Sequence, residues 1–239
     1  MSESNMQKVL VIVGFGPGTA TAVAKKFGSE GFQIALVGRN EERLAAGVAM
    51  LQTHGITSFG FQADASRPPS VRDVLKKIRS QMGPITVLHW NAYGMEVPDI
   101  LNADLTALHR DLDVSVFGLL AATDEVRADM RSNNESAILV STGGLAAISP
   151  QSDEIATQLH MAGLALGSTV KHKLVGLLAQ ALKPEDIYVG EVTTFSTIRN
   201  TPGENSHDSV DPAVIAEQFW ELYRSRDEVR ATVRSTVHS

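Results

Sequence analysis

Short apolar runs alternate with longer stretches whose apolar positions recur every three or four residues. Val9 to Val13 is an apolar, β-branched run that ends at glycine, as expected for a strand covered on both faces. Thr19 to Ser29 carries Ala20, Val23, Ala24 and Phe27 at helical spacing, and Gly31 follows as a stop. The same alternation predicts strands at Phe32–Val37, Ser58–Ala63, Thr86–Trp90, Ala137–Ser141, Ile187–Thr193 and Glu228–Val233. Between them it predicts helices at Glu41–Thr53, with Asn40 as N-cap, and at Ser70–Met82 after Pro68-Pro69. Further helices are expected at Leu112–Arg131 and at Ile155–Leu182, the latter with a break near Gly163 or Gly167. A last helix begins at Asp211 and runs to about Tyr223, with Pro212 at the first position, where its missing N–H costs nothing.

Strands alternating with helices build βαβ units, and these give a parallel sheet with right-handed crossovers. The expected fold is α/β: one doubly wound domain over residues 1–239, a parallel sheet of about seven strands flanked by helices. Ligands of such sheets bind at the carboxyl ends of the strands. Residues 1–6 read as a flexible N-terminus and 199–211, with Pro202, Gly203, Asn205 and Ser206, as a loop on the substrate side.

Composition narrows the function. With 43% hydrophobic and 20% charged residues, the chain can bury a sizeable core. The net charge of −6 and the lack of a basic run argue against nucleic acid or an anionic membrane as partner. There is no cysteine, so disulfides, thiolate catalysis and cysteine metal sites are excluded. His54, His89 and His109 show no metal-ligand pairing with acids, and no metal is expected. No apolar stretch approaches the roughly 18 to 20 residues of a membrane span, and Met1 to Met6 resembles no secretory signal. The expectation is a cytoplasmic protein.

The candidate chemistry begins where the first strand runs into Gly14-Phe15-Gly16-Pro17-Gly18-Thr19-Ala20 and a helix. Glycine lets backbone approach a pyrophosphate, and the helix start offers free N–H groups and the positive end of its dipole. The second strand ends without an acid to hold ribose hydroxyls; Glu41 and Glu42 come later. Arg39 instead stands 25 residues beyond Gly14, where a guanidinium could grip a 2′-phosphate with two charge-assisted hydrogen bonds. NADP is therefore expected over NAD, with NAD still open. A Gly-x-Gly-x-Gly turn also suits S-adenosylmethionine, but a methyltransferase wants the missing acid.

These segments together resemble the short-chain dehydrogenase/reductase family over nearly the whole length, and so a Rossmann-type fold. The glycine turn is similar to the family's Gly-x-x-x-Gly-x-Gly, with Ala20 for its last glycine. Asp64-Ala65 resembles the pair that contacts adenine, and Trp90-Asn91-Ala92-Tyr93-Gly94 resembles Asn-Asn-Ala-Gly. Val114-Ser115-Val116-Phe117-Gly118 resembles Val-Asn-x-x-Gly, with Ser115 at the asparagine. Val140-Ser141-Thr142-Gly143-Gly144 falls where the family keeps a catalytic serine, and Asp211-Pro212-Ala213-Val214-Ile215-Ala216-Glu217 looks like its late helix. The resemblance implies dinucleotide binding through Gly14, Phe15, Gly16, Gly18, Thr19, Arg39, Asp64, Ala65, Asn91, Ala92 and Tyr93. It also implies a homo-oligomer, dimer or tetramer, and an unidentified small-molecule substrate.

The family also implies a tyrosine as general acid and a lysine four residues later. The three tyrosines, Tyr93, Tyr188 and Tyr223, are followed at that spacing by Val97, Val192 and Asp227. One alignment puts Thr157 and Met161 at the pair, another Leu164 and Ser168, and both stay open. Ser141 or Thr142 keeps the serine's hydroxyl; Tyr93 and His160 are candidate proton donors, and His172, between Lys171 and Lys173, reads as an exposed basic turn. Two functions follow: an NADP-dependent oxidoreductase of a small carbonyl or alcohol with a non-standard site, or an inactive dinucleotide-binding sensor or regulatory subunit.

Overall fold

The computed structural model describes residues 7–131, 133–201, 204 and 208–235; the expectations for 1–6, Pro202, Gly203, Asn205 and Ser206 lie outside them. The strands are β1 (Val9–Val13), β2 (Gln33–Gly38), β3 (Ser58–Gln62), β4 (Val87–Trp90), β5 (Ala137–Gly143), β6 (Tyr188–Thr194), β7 (Thr197–Ile198), β8 (Ser209–Val210) and β9 (Arg230–Val233). Seven of them form one parallel sheet in the order β3-β2-β1-β4-β5-β6-β9, and β7 pairs with β8 apart from it. The helices are α1 (Thr19–Ser29), α2 (Glu41–Thr53), α3 (Pro68–Met82), α4 (Leu105–Leu112), α5 (Gly118–Met130), α6 (Pro150–Gln158), α7 (Ala162–Leu182) and α8 (Pro212–Ser225). Among the described residues no helix is long and apolar enough to cross a membrane.

The continuous apolar run of β1 follows from cover on both faces. Val9, Val11 and Val13 pack with α3, α5 and α7, whereas Leu10 and Ile12 pack with α1, α2 and α8. Strand order reverses between β1 and β4. The chain leaves β1 toward β2 and β3, then returns to the other side of β1, so the loops after β1 and β4 part and open a crevice at their carboxyl ends.

Two predicted helices differ. The Leu112–Arg131 helix is two helices, α4 and α5, joined by a π-helical turn at Asp113–Phe117. Asp104 starts α4 seven residues earlier than expected by accepting a hydrogen bond from the Thr106 amide at 2.9 Å. The Ile155–Leu182 helix is broken near Gly163, as expected, with the break itself at His160 and Met161. His160 adopts φ +54, and the amides of Ala162 and Gly163 bond instead to the carbonyls of Pro98 and Val97. Gly163 and Gly167 lie within α7 and serve close packing: a Cβ on Gly167 would stand 2.5 Å from Ser115 Oγ. Within the expected 199–211 loop, Ser209 and Val210 form β8.

The α1–α8 side is locked by aromatic rings. Phe27 is fully buried, with ring centroids 5.3 Å from Phe32, 5.1 Å from Trp220 and 5.5 Å from Tyr223. Replacing Phe27 by Ala should cost about 3–5 kcal/mol in urea unfolding, while Phe59→Ala, at an exposed ring, should stay within about 0.5 kcal/mol. Equal losses in the two variants would refute this placement of the core.

Candidate functional site

The glycine turn is tied down on both sides. The amides of Gly14 and Phe15 both donate to the Val37 carbonyl at 3.0 Å, fixing the turn to β2. Asn91 Nδ2 donates to the Gly14 carbonyl at 3.0 Å and the Asn91 amide to the Val13 carbonyl at 2.9 Å, fixing it to β4. Gly14 has φ +88, and a Cβ there would stand 2.5 Å from the Ala92 amide nitrogen, so backbone conformation and space both require glycine. Phe15 is buried, its ring lying where Gly47 of α2 leaves room.

This turn delivers the start of α1. Gly18 is the N-cap, at φ +81, with no side-chain cap and no acid in the first turn, and the first intrahelical bond runs from the Ala22 amide to its carbonyl. The first amides of α1 therefore have no intrahelical partner and point, with the dipole, out of the turn. A Cβ on Gly16 would meet nothing within 4 Å, whereas Thr19 and Ala20 are buried against the sheet. Open space before unpartnered amides fits a diphosphate. Thr201 lies over the far side, its Cγ2 2.6 Å from the place of a Gly18 Cβ.

Arg39 follows β2 and is exposed; among the described residues its carbonyl accepts from Gln62 Nε2, and no ion pair holds its guanidinium. Asn40 caps α2 by accepting from the Arg43 amide at 2.8 Å. Asp64, after β3, is half-buried, and its Oδ1 accepts from the Ser66 amide and hydroxyl at 3.0 and 2.8 Å. The Ala65 carbonyl and the Trp90 ring close on Gly118, which leaves no room for a Cβ there.

Strand alternation separates the two hydroxyls that the sequence left as alternatives. Thr142 shares the face of Val140, toward α5 and α7; its Oγ1 is buried and has no partner among the described residues. Ser141 faces the other way and is hydrogen-bonded to His89 Nε2 at 2.9 Å. The one-residue offset turns it to the α8 side, where His89 packs on Phe219 with centroids 4.8 Å apart. Tyr93 is 58% exposed, at the crevice mouth rather than packed as a core aromatic. His160 is exposed in the α6–α7 break.

That break separates the residues of one alignment and not those of the other. A pair four residues apart shares one helix face only along a continuous helix. Thr157 lies on α6 and Met161 precedes α7, whereas Leu164 and Ser168 both lie within α7. On the same face, one turn further, is Lys171. The buried positions of α7 are Gly163, Gly167, Ser168, Lys171, Val175, Leu178 and Leu182. His172 and Lys171 are therefore not an exposed basic turn: both sit mid-helix, and Lys171 is 2% exposed. Its Nζ donates to the Ala92 carbonyl at 3.2 Å. Burial pulls its pKa down to about 8, against a smaller upward pull from Glu191. Glu191 itself is fully buried and paired with His172 Nδ1 and with Arg230 Nε. The sequence carried the signal for Lys171 in its phase, since 164, 168, 171, 175 and 178 form one stripe, but the Lys-His-Lys triplet masked it.

Asp111 is the other residue missed. Fully buried, it accepts from the Glu96 amide and from the Val97 amide at 3.1 Å, and it lies against Gly94 and Gly163. It fastens the loop after β4 to α4 and to the start of α7. Among the described residues no group of three His, Asp or Glu could hold a metal.

Residues 8–156 match the family model described as short chain dehydrogenase. The chain belongs to that family. This short-chain dehydrogenase is 24% identical to the 3-oxoacyl-[acyl-carrier-protein] reductase FabG of Staphylococcus epidermidis, over 98% of this chain and 97% of the other. It is 27% identical to 2-(S)-hydroxypropyl-CoM dehydrogenase 3 of Xanthobacter autotrophicus, over 58% of this chain and 54% of that one. The fold matches an alcohol dehydrogenase of Thermococcus sibiricus complexed with 5-hydroxy-NADP, at TM-score 0.82, 20% identity and 98% of both chains. It also matches a metagenomic short-chain oxidoreductase in complex with NADP, at TM-score 0.79, 18% identity and 96% and 97% of the two chains.

The buried His89 of this short-chain dehydrogenase makes a pH prediction. Its pKa is lowered to about 3, first by burial and then by the Lys171 charge. The unfolded chain takes up a proton near the ordinary value of about 6.5, so the stabilisation is full above that pH and is lost as pH falls toward 3. Urea unfolding should lose up to about 1.4 kcal/mol per pH unit more in the parent than in His89→Leu between roughly pH 6 and 4. Parallel curves would refute a neutral buried imidazole.

Proposed function

We propose that this chain is an NADP-dependent oxidoreductase acting on a small carbonyl or alcohol substrate, with a proton donor other than the family's tyrosine. The observation that carries the reading is the cradle at Gly14–Ala20, where glycine backbone and the unpartnered start of α1 meet at the crevice between β1 and β4. A dinucleotide there would rest its diphosphate on the amides of Gly16, Gly18 and Thr19. Asp64 and Ala65 would border the adenine, and Asn91, Ala92 and Tyr93 the nicotinamide end. When bound, the reduced cofactor supplies the hydride; the Thr142 hydroxyl is placed to hold the substrate oxygen. Ser141, committed to His89, has no part in this. NADP-bound relatives of the same fold support the cofactor class, and the Arg39 guanidinium after β2, in no ion pair among the described residues, supports NADP over NAD.

A second reading, a dinucleotide-binding subunit without catalysis, is favoured by Leu164 and Ser168, which bring neither phenol nor amine to that face of α7. The family match leaves the methyltransferase reading without support. We further propose a homo-oligomer: Phe117 just before α5, Leu120 on α5, and Leu166, Val170 and Leu177 on α7 are exposed.

Calorimetric titration should show NADPH binding roughly 10- to 100-fold tighter than NADH, since each hydrogen bond to a charged group contributes about 1.5–3 kcal/mol. Arg39→Glu should abolish that preference while NADH still binds. Equal affinities in the parent would overturn the NADP assignment, and absence of any binding would overturn the function. Cofactor oxidation with a carbonyl panel separates the enzyme from the silent subunit.

A further inference from the structure

We propose that Lys171 is the general acid of this site, delivering a proton to the substrate oxygen held at Thr142. The inference rests on the oxidoreductase reading and adds to it the residue that reading lacks.

Three observations converge on this amine. Its side chain is 2% exposed, yet among the described residues its Nζ has one hydrogen bond, to the Ala92 carbonyl. An ammonium carries three donors, and buried donors left without partners are rare enough to need a reason. Ala92 is also the residue whose backbone packs on Gly14, so one hydrogen bond joins the amine to the neighbour of the cradle. Finally, Thr142 turns an unpartnered, buried hydroxyl toward the α7 side of β5. The hydroxyl at the carboxyl end of β5 and the amine held on the Ala92 carbonyl just beyond β4 each keep hydrogen-bonding capacity unused among the described residues, which leaves both able to meet one more oxygen.

The surrounding charges keep the amine ready. On β6, Glu191 faces it, but that carboxylate is already paired with His172 of α7 and Arg230 of β9. On β4, His89 stays neutral and adds no charge. Lys171 thus has no carboxylate of its own, and a pKa of about 8 leaves it protonated at neutral pH and able to give the proton up. As the carbonyl carbon is reduced, its oxygen takes the proton: one N–H bond breaks, one O–H bond forms, and the electron pair remains on Nζ. Solvent then reprotonates the neutral amine.

The test uses the full chain, NADPH and a panel of small ketones and aldehydes. Lys171→Met and Lys171→Gln should lower kcat by roughly 100- to 10,000-fold, with NADPH affinity by calorimetry within about threefold of the parent. The parent rate should fall tenfold per pH unit above about pH 8, and Lys171→Arg should lose that fall. The Cε signal of Lys171 in 13C-lysine NMR, assigned with Lys171→Met, should titrate near pH 8 and shift on saturation with NADP+. Variants that bind NADPH and keep kcat within threefold overturn the acid role alone. So does an unshifted signal in NADP+-saturated protein. Failure of the parent to bind NADPH overturns the oxidoreductase reading and this one with it, and binding without turnover of any substrate in the panel leaves the silent subunit standing in place of both.

Discussion

The contact between Gly14 and Ala92 governs the site. Two parallel strands run side by side, and their exits must part so that a ligand can reach the sheet. Here the backbones touch so closely that no side chain fits at position 14. From that contact Asn91 reaches back to the Gly14 carbonyl, and the Ala92 carbonyl receives Lys171 from α7. Cradle, crevice floor and buried amine are thus one mechanical unit. Movement at any member shifts the others, because close-packed interiors transmit small displacements.

The loop after β4 is held from above by a second device. Asp111 turns its carboxylate to the amides of Glu96 and Val97, and the carbonyls of Val97 and Pro98 take the amides that open α7. A buried carboxylate is tolerable when amides and a helix start surround it. The cost of burying that charge is offset by fixing three segments at once: α4, the loop and α7. Gly94 and Gly163 are small because Asp111 occupies the space their side chains would need.

Local signals were legible in the sequence, and long-range ones were not. The strand, glycine turn and helix from Val9 to Ser29 are written in adjacent residues, and they fold as read. The break between α6 and α7 depends on carbonyls some sixty residues earlier, so no pattern within residues 155–182 could place it at His160. Ser141 and Thr142 differ by one residue, and only the register of β5 against its neighbours sends one to His89 and the other toward α7. Asp111 reads as one more surface acid until Gly94 and Gly163 are brought against it. Lys171 was hidden differently. Its helical phase was available, but two flanking basic residues suggested solvent.

Charge accounting on α7 explains why such a lysine can persist there. An ammonium without a partner in a dry interior would be expelled or neutralised. Glu191, equally buried, would be the natural partner, yet His172 and Arg230 claim both its oxygens. The helix therefore presents the His172 ring to Glu191 and sends the Lys171 amine elsewhere, to the Ala92 carbonyl. On the proposed acid role, a substrate oxygen would complete the hydrogen bonding that the Ala92 carbonyl leaves open on Lys171, close to the Gly14–Ala92 contact.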